Sequence, residues 1–157
     1  MPPMPASRKR VSVHTDGSCD TRSGDGGWAY LLAYNGHERV ASGFEAATTN
    51  NRMELTAAVR ALEALTEPCD VTIVTDSQYL EKAFSAGWLT TWQGNGWRTA
   101  NRQPVKNRDL WERLLELTST HAVRWRWTRG HAGHPANERV DALALRARRE
   151  RRGDASD

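Results

Sequence analysis

Four acidic residues stand out by their positions in the chain. Asp16 and Asp76 each follow a run of residues typical of a β-strand, and Glu54 and Asp141 fall in the first two turns of predicted helices. If the two strands are adjacent and parallel, Asp16 and Asp76 meet at the carboxyl edge of the sheet, where open α/β sheets bind ligands. Clustered carboxylates repel one another unless cations bind among them, and hard oxygen ligands favour magnesium or manganese.

Each acid also has an ordinary structural explanation. Asp16 fits the first position of an Asp-Gly-Ser turn, and Asp76 fits a cap for the helix that follows it. Glu54, three residues after Asn51, fits a capping box, and Asp141 fits a solvated helix charge. Taken one at a time, each of these acids fits its structural explanation better than a catalytic role.

Hydrophobic spacing and turn residues indicate the elements that must position these acids. Asn35-Gly36 is a strong hairpin signal between two predicted strands. In chain order we predict strands at 11–15, 28–34 and 37–44, a helix at 51–65, a strand at 71–75, a helix at 77–84, an irregular Trp/Gly segment, a helix at 107–118, a strand at 123–128 and a last helix from Pro135. This order predicts an α/β fold with a five-stranded mixed sheet, strands 1–3 antiparallel and strands 1, 4 and 5 parallel, flanked by helices.

Length and composition restrict the class of protein. The chain has 157 residues, of which 38% are hydrophobic and 26% charged, which suits one domain with its own core. We expect residues 1–7 to be a disordered leader, 8–150 the folded domain and 151–157 a disordered tail. No apolar run approaches membrane-spanning length, and two cysteines are too few for a disulfide framework. Without a signal-peptide core or a large apolar face, we expect a cytoplasmic monomer that needs no disulfide partner.

The distribution of charge is more informative than the net charge of +3. Residues 1–10 carry +3 and residues 146–157 carry +2, so the remaining body carries −2. Nucleic-acid binding by charge alone is therefore excluded, and such a function would need a local arrangement. The segment 88–108 is one, because it holds four basic residues and no acid.

Four motifs give the chain a resemblance to a known family. They are Thr15-Asp16-Gly17-Ser18-Cys19, Thr48-Thr49-Asn50-Asn51-Arg52-Met53-Glu54-Leu55, Thr75-Asp76-Ser77-Gln78-Tyr79, and Gly130-His131-Ala132-Gly133-His134-Pro135-Ala136-Asn137-Glu138 with Asp141. In this order they resemble the bacterial type 1 ribonuclease H family, in register from about residue 10 to residue 147. The three-residue Thr-Asp-Gly alone is weak, but the second motif is strong.

The resemblance implies the ribonuclease H fold and endonucleolytic cleavage of the RNA strand of RNA/DNA hybrids. Its catalytic and metal-binding carboxylates correspond to Asp16, Glu54, Asp76 and Asp141. Two Mg²⁺ ions, with Mn²⁺ as a substitute, would act in this hydrolase and leave 5′-phosphate and 3′-hydroxyl ends. His131 corresponds to a loop histidine that transfers a proton or helps the product to leave.

The resemblance also implies contacts to both strands of the hybrid. The 2′-hydroxyls of RNA would be read around Gly17, Ser18, Cys19, Asn50 and Gln78, and the DNA strand would be held at Thr49 and Asn51. The segment 88–108 corresponds to the basic protrusion of the bacterial enzymes, with Trp88, Arg98 and Lys106 as contacts. The polar residues among these also fit a purely structural role in turns and caps.

The remaining aromatic and histidine residues are predicted to be structural. We expect Trp92, Trp111, Trp125 and Trp127 to pack in the core, and His134 to serve the start of the last helix. No histidines have the spacing of a zinc site.

The sequence departs from better-known relatives at several positions. Their protrusions have more lysine near Gln93-Gly94-Asn95, an asparagine often replaces Arg22, and one extra residue lies near Ala86. We therefore expect weaker or differently salt-dependent hybrid binding with cleavage intact, which a salt titration of a catalytically dead variant measures. A non-catalytic binding module on the same fold is disfavoured, because all four acids and His131 are present. A DNA nuclease on the same fold is disfavoured, because it gives no reason for the Asn-Asn-Arg-Met-Glu block and the protrusion.

Overall fold

A mixed sheet forms the centre of the molecule in a computed structural model, which describes residues 8–128 and 134–156. Its strands are β1 (Lys9–Cys19), β2 (Gly26–Tyr34), β3 (His37–Glu45), β4 (Cys69–Thr75), β5 (Ala122–Trp127) and the short β6 (Ala155–Ser156). They lie in the order β5-β4-β1-β2-β3-β6. β1, β2 and β3 are antiparallel neighbours, and β4 is parallel to both β1 and β5. The predicted five-stranded arrangement is confirmed, with β6 as an addition at its edge.

Five helices flank this sheet in the described part of the chain. They are α1 (Asn50–Glu63), α2 (Gln78–Ser85), α3 (Trp88–Asn95), α4 (Arg108–Thr120) and α5 (Pro135–Glu150). The predicted helices therefore shift by only one or two residues at most ends, while the segment predicted as irregular contains α3. The hairpin signal is also correct, since Asn35 and Gly36 both have the positive φ of a type I′ turn, 49° and 83°. None of the described helices has the length and apolar character to span a bilayer.

Strand alternation divides the core into two layers. Val13 and Ile73 point to the larger layer, where they pack with Leu55 of α1 and Trp111 of α4, all fully buried. On the other face, Leu31 packs with Val140 of α5 in a smaller core. Since α1 and α5 press on opposite faces near the same end of β1, both helices can bring side chains to its carboxyl end.

The C-terminal segment is docked on the sheet, although the sequence predicts a disordered tail at 151–157. Arg151 forms an ion pair with Asp25 at 2.5 Å, and Ser42 exchanges two hydrogen bonds with the backbone of Asp154 at 2.7 and 3.1 Å. Ala155 and Ser156 then pair with β3 as β6. The prediction failed because β3 would otherwise be an open edge strand, whose unpaired backbone groups accept any neighbouring extended segment.

The tryptophans behave as predicted with one exception. Trp111 is fully buried, and Trp92 and Trp125 are partly buried against the main core. Trp127 is 41% exposed, so its assignment to the core was wrong. It lies on the same strand face as Trp125, but Phe84 stacks on Trp125 at 4.7 Å and the last residue of the edge strand extends beyond this cover.

Candidate active site

Parallel pairing of β1 and β4 brings two acids to one level of the sheet edge. His14 is paired with Val74, so Asp16 stands level with Asp76, the first residue after β4. Asp16 is buried, with 6% of its surface exposed, and lies within β1 opposite Ala29 rather than in a turn. Asp76 is not the helix cap, because the Ser77 hydroxyl accepts the hydrogen bond from the Leu80 N–H at 3.1 Å.

Helix α1 supplies Glu54 from the sheet face that carries Val13, which is opposite to the face of Asp16. Gly17 permits this approach, since a Cβ on it would lie 2.6 Å from the carbonyl carbon of Met53. The helix is capped by Thr49, whose hydroxyl accepts from the Arg52 N–H at 3.1 Å, so Glu54 takes no part in a capping box. Instead its side chain is buried at the sheet edge, 6% exposed.

The carboxylates converge on one point. One oxygen from each of Asp16, Glu54 and Asp76 lies within 4.8 Å of the other two. Asp141, in the second turn of α5, is half-buried and its carboxyl group forms a hydrogen bond with Asp16. The fold therefore assembles the four acids singled out in the sequence from four separate elements.

Burial and mutual repulsion make this cluster unfavourable as free carboxylates. Burial, the hydrogen bond to Asp141 and the charge of Asp76 raise the pKa of Asp16 to about 8. Burial, followed by the charges of Asp16 and Asp76, raises the pKa of Glu54 well above its usual value. The Oε2 atom of Glu54 is buried without a hydrogen-bond partner in the described part of the chain. A cation would satisfy this oxygen and remove the repulsion, and an all-carboxylate donor set fits magnesium or manganese.

Outside the protrusion, the residues assigned to substrate contact lie on β1, on α2 and at the start of α1, close in the chain to the three acids Asp16, Glu54 and Asp76. The end of β1, directly after Asp16, consists of Gly17, Ser18 and Cys19. The start of α1 consists of its N-cap Thr49 followed by Asn50 and Asn51. Gln78 is the first residue of α2, and its side chain is exposed. The Ser18 hydroxyl accepts a hydrogen bond from Arg148 of α5 at 3.1 Å. This arginine joins the two sides of the site, and its distance along the chain hides that relation in the sequence.

The basic protrusion is built on three indole rings that pack against one another at tilted angles. Trp92 packs between Trp88 and Trp97, and the centroid of its ring lies 5.9 Å from that of Trp88 and 6.2 Å from that of Trp97. Trp97 is buried whereas Trp88 is 36% exposed, which leaves the Trp88 ring available to a ligand. The side chains of Arg98 and Lys106 are exposed on the same unit.

Two predicted features of the last loop have different outcomes. His131, with its neighbouring glycines, lies outside the described residues. His134 immediately precedes α5, where its side chain makes no capping hydrogen bond.

An ion pair network that the sequence analysis missed holds the site to the protrusion. Arg52 of α1 binds Glu45 at 2.9 Å and both carboxylate oxygens of Asp109 at 3.1 and 3.0 Å. Its Nη1 also donates to the Asn107 side chain at 3.4 Å. Arg52 belongs to the motif at 48–55, but no local pattern in the sequence indicates that its partner lies on α4.

An open mixed sheet with clustered carboxylates at its edge is consistent with the class of metal-dependent hydrolases that act on phosphodiesters. Comparison with known proteins supports this class. A family model described as RNase H matches residues 8–149. The chain belongs to the RNase H family.

Individual relatives support this assignment. The chain is 58% identical over 142 residues to a ribonuclease H of Thermus thermophilus, covering 90% of this chain and 86% of the relative. It is 58% identical over 143 residues to a ribonuclease H of Nitratidesulfovibrio vulgaris, covering 91% of both chains. The crystal structure of LC9-RNase H1, a type 1 RNase H with the type 2 active-site motif, superimposes with a TM-score of 0.85 at 31% identity, covering 98% of this chain and 80% of the other.

Proposed function

We propose that the chain is an endonuclease that hydrolyses the RNA strand of RNA/DNA hybrids. The observation that carries this proposal is the convergence of Asp16, Glu54, Asp76 and Asp141 beside residues suited to reading an RNA backbone. Membership of the RNase H family supports the substrate. In the reaction the oxygen of water bonds to phosphorus, the bond from phosphorus to O3′ breaks, and the O3′ atom takes up a proton. The products carry a 5′-phosphate and a 3′-hydroxyl.

The four carboxylates would hold the metal ions. Two Mg²⁺ ions, when bound, would activate the water and stabilise the leaving oxygen, and Mn²⁺ would substitute. Asp16 would be the central ligand of the site, since Glu54, Asp76 and Asp141 lie around it. Because its burial and its neighbours raise the pKa of Asp16, this residue must lose its proton before it can bind a cation.

The neighbouring residues would select a hybrid over other duplexes. Backbone and side chains at Gly17 to Cys19, Asn50 and Gln78 would contact 2′-hydroxyls of the RNA strand across the wide minor groove. Thr49 and Asn51 would hold the DNA strand, which extends to the protrusion with Trp88, Arg98 and Lys106. His131 would transfer a proton or assist product release, as its place in the family motif suggests.

The state of the protein in the cell forms part of the same proposal. We infer a monomer, because one chain supplies all four carboxylates. We also infer a cytoplasmic location, because the sequence has two cysteines, too few for a disulfide framework. Size-exclusion chromatography at working concentration tests the inferred monomer, and a dimer would contradict it.

The deciding experiment presents labelled RNA/DNA hybrid, RNA duplex and DNA duplex to the protein with magnesium, manganese or EDTA. We expect cleavage of the hybrid RNA strand only, with either metal and not with EDTA. Asp16→Asn is the matched variant, because it keeps the shape of the side chain and removes its charge. Cleavage of another substrate in preference to the hybrid, or full activity of Asp16→Asn, would contradict the proposal.

A further inference from the structure

One face of the sheet carries arginines that the proposed reaction does not use. Side chains alternate between faces along a strand, so Arg10 shares a face of β1 with Asp16, opposite to the buried Val13. On β5, Arg124 and Arg126 are exposed on this same face, since their partners on β4 alternate with the buried core residues. The three arginines thus lie on the face that also presents Asp16.

Arg10 and Arg124 line a groove that the helices leave open, and Arg126 lies two residues beyond Arg124 on β5. The groove has a volume of about 380 Å³, and its lining includes Arg10, Ser12, Asp70, Thr72 and Arg124. Helix α5 packs over β1, β2 and β3 on this face of the sheet. The groove lies over the parts of β1, β4 and β5 that α5 does not cover.

The charge of the groove is unbalanced. Arg10, Arg124 and Arg126 form no ion pair or hydrogen bond within residues 8–128 and 134–156, in contrast to Arg113, which binds Glu63 at 2.9 Å. Asp70 is the acid among the lining residues. Guanidinium groups without protein partners suit phosphate oxygens, because their planar fork matches the geometry of the anion.

The arginines lead directly away from the carboxylate cluster. Arg126 is paired with Val74, two residues before Asp76, and Arg124 comes two residues earlier. Successive residues on one face of a strand are about 7 Å apart, so these arginines stand at roughly 7 and 13 Å along the strand from the level of Asp76. This separation allows successive phosphates of an extended strand to meet successive arginines.

We propose that this arginine face binds the phosphodiester backbone of the RNA strand where it continues, single-stranded, beyond the hybrid. The inference rests on the proposed function, since the strand held at the carboxylates is then RNA. A positively charged groove that follows the backbone is the usual means of binding single strands without sequence preference. The site would favour hybrids with an unpaired RNA extension, such as a partly annealed transcript.

The test measures binding of a blunt hybrid and of the same hybrid with a single-stranded RNA extension at either end. The protein is the full chain carrying Asp16→Asn, with magnesium present, and fluorescence anisotropy is recorded over a range of salt concentrations. The groove variant is Arg124→Gln with Arg126→Gln. The charge-matched control is Arg149→Gln with Arg152→Gln, two exposed arginines at the end of α5 and just beyond it.

We expect an extension at one end to tighten binding of the parent by about tenfold and the groove variant to lose this gain. Loss of two phosphate contacts should reduce the salt slope for the extended hybrid by about 1.4, at 0.7 per phosphate. Blunt-hybrid binding and the control variant should be unchanged. Asp70→Asn should strengthen binding of the extended hybrid, since it removes an acid from the groove lining; this second variant gives an effect of opposite sign.

Three results would overturn the proposal. One is an unchanged extension effect in the groove variant, and another is an equal loss for blunt and extended hybrids. The third is a pair of observations: an acidic peptide binds in a manner that depends on Arg124, and no RNA extension changes the affinity. This result would assign the groove to a protein partner. Cleavage of the blunt hybrid by the unsubstituted chain is measured in a separate experiment. If this chain does not cleave the hybrid, the proposed function is contradicted, while the binding data still test the groove.

Discussion

Arg52 and Asp109 form a two-pronged ion pair that joins the first turn of α1 to the first turn of α4, with nitrogen–oxygen distances of 3.1 and 3.0 Å. Arg52 lies two residues before Glu54, and Asp109 directly follows the protrusion. The pair therefore joins the helix that carries Glu54 to the segment that is proposed to contact the DNA strand. Its arginine is also bound to Glu45 at the end of β3.

Separate substitutions of this pair should have unequal effects. Asp109→Asn should lower the free energy of unfolding by less than about 1 kcal/mol, because the Asp109 side chain is 65% exposed. Arg52→Gln should cost about 1–3 kcal/mol, since it also leaves Glu45 and Asn107 without their donor. Urea unfolding measures both values, and equal costs would contradict the shared role of Arg52.

The same pair predicts an acid dependence. The Arg52 guanidinium lowers the pKa of Asp109 below its usual 3.8. The stabilisation is therefore present above about pH 4 and is lost as the pH falls through the lowered pKa. The stability difference between the parent and Asp109→Asn should shrink in that range, and a difference that stays constant down to low pH would contradict the assignment.

Gly17 and Gly94 offer a matched test of the close approach of α1 to β1. A Cβ on Gly17 would lie within 2.6 Å of the backbone of Met53, while one on Gly94 in α3 meets nothing within 4 Å. Gly17→Ala should cost about 1–3 kcal/mol and reduce kcat by displacing Glu54. Gly94→Ala should stabilise by about 0.5–1 kcal/mol with activity unchanged. Normal kcat in Gly17→Ala would show that the helix can move without disturbing the carboxylates.

The sequence was sufficient for the order and pairing of the five main strands, because these depend on local patterns and on helical crossovers. The four acids were singled out through the family motifs, since each acid taken alone fits a structural role. Alternation on β1 requires only neighbours in the chain, but the strand continues through Asp16 to Cys19, beyond the end that the sequence predicts at residue 15. The partners of Arg52 and Arg148 could not be predicted, since each bond joins residues from different elements. Trp127 shows the same limit, because a strand pattern indicates which face a residue occupies but not where the cover of that face ends.

Trp88 and Trp111 should separate ligand binding from stability. Trp111 is fully buried and donates to the Tyr79 hydroxyl at 2.9 Å, so Trp111→Ala should cost about 3–5 kcal/mol. The exposed ring of Trp88 should contribute to the hybrid instead. Trp88→Ala should weaken hybrid binding by at least about fivefold, as for loss of a stacking contact, with little change in Tm. Unchanged affinity would assign Trp88 to the packing of the protrusion.

Asp16 should make the metal-free protein less stable at higher pH. Its pKa is about 8 in the folded chain and 3.8 as the ordinary value, so the folded state holds a proton that the unfolded state has lost. The resulting stabilisation is complete below about pH 4 and is lost as the pH rises towards 8. Asp16→Asn should therefore be more stable than the parent at pH 8 in EDTA, by more than about 1 kcal/mol, and nearly inactive. Equal pH profiles of Tm for the two proteins would contradict the raised pKa.

Cation binding should release protons from the same cluster. Below about pH 8 a cation must displace the proton of Asp16, and the raised pKa of Glu54 adds to this effect. The affinity for magnesium should therefore rise by about tenfold per pH unit between pH 6 and 7, with at least about one proton released per protein. Calorimetry in two buffers of different ionisation enthalpy measures the released protons, and Asp16→Asn serves as the control. A magnesium affinity independent of pH would mean that the carboxylates are already ionised before the metal arrives, and the repulsion inferred from their burial would be wrong.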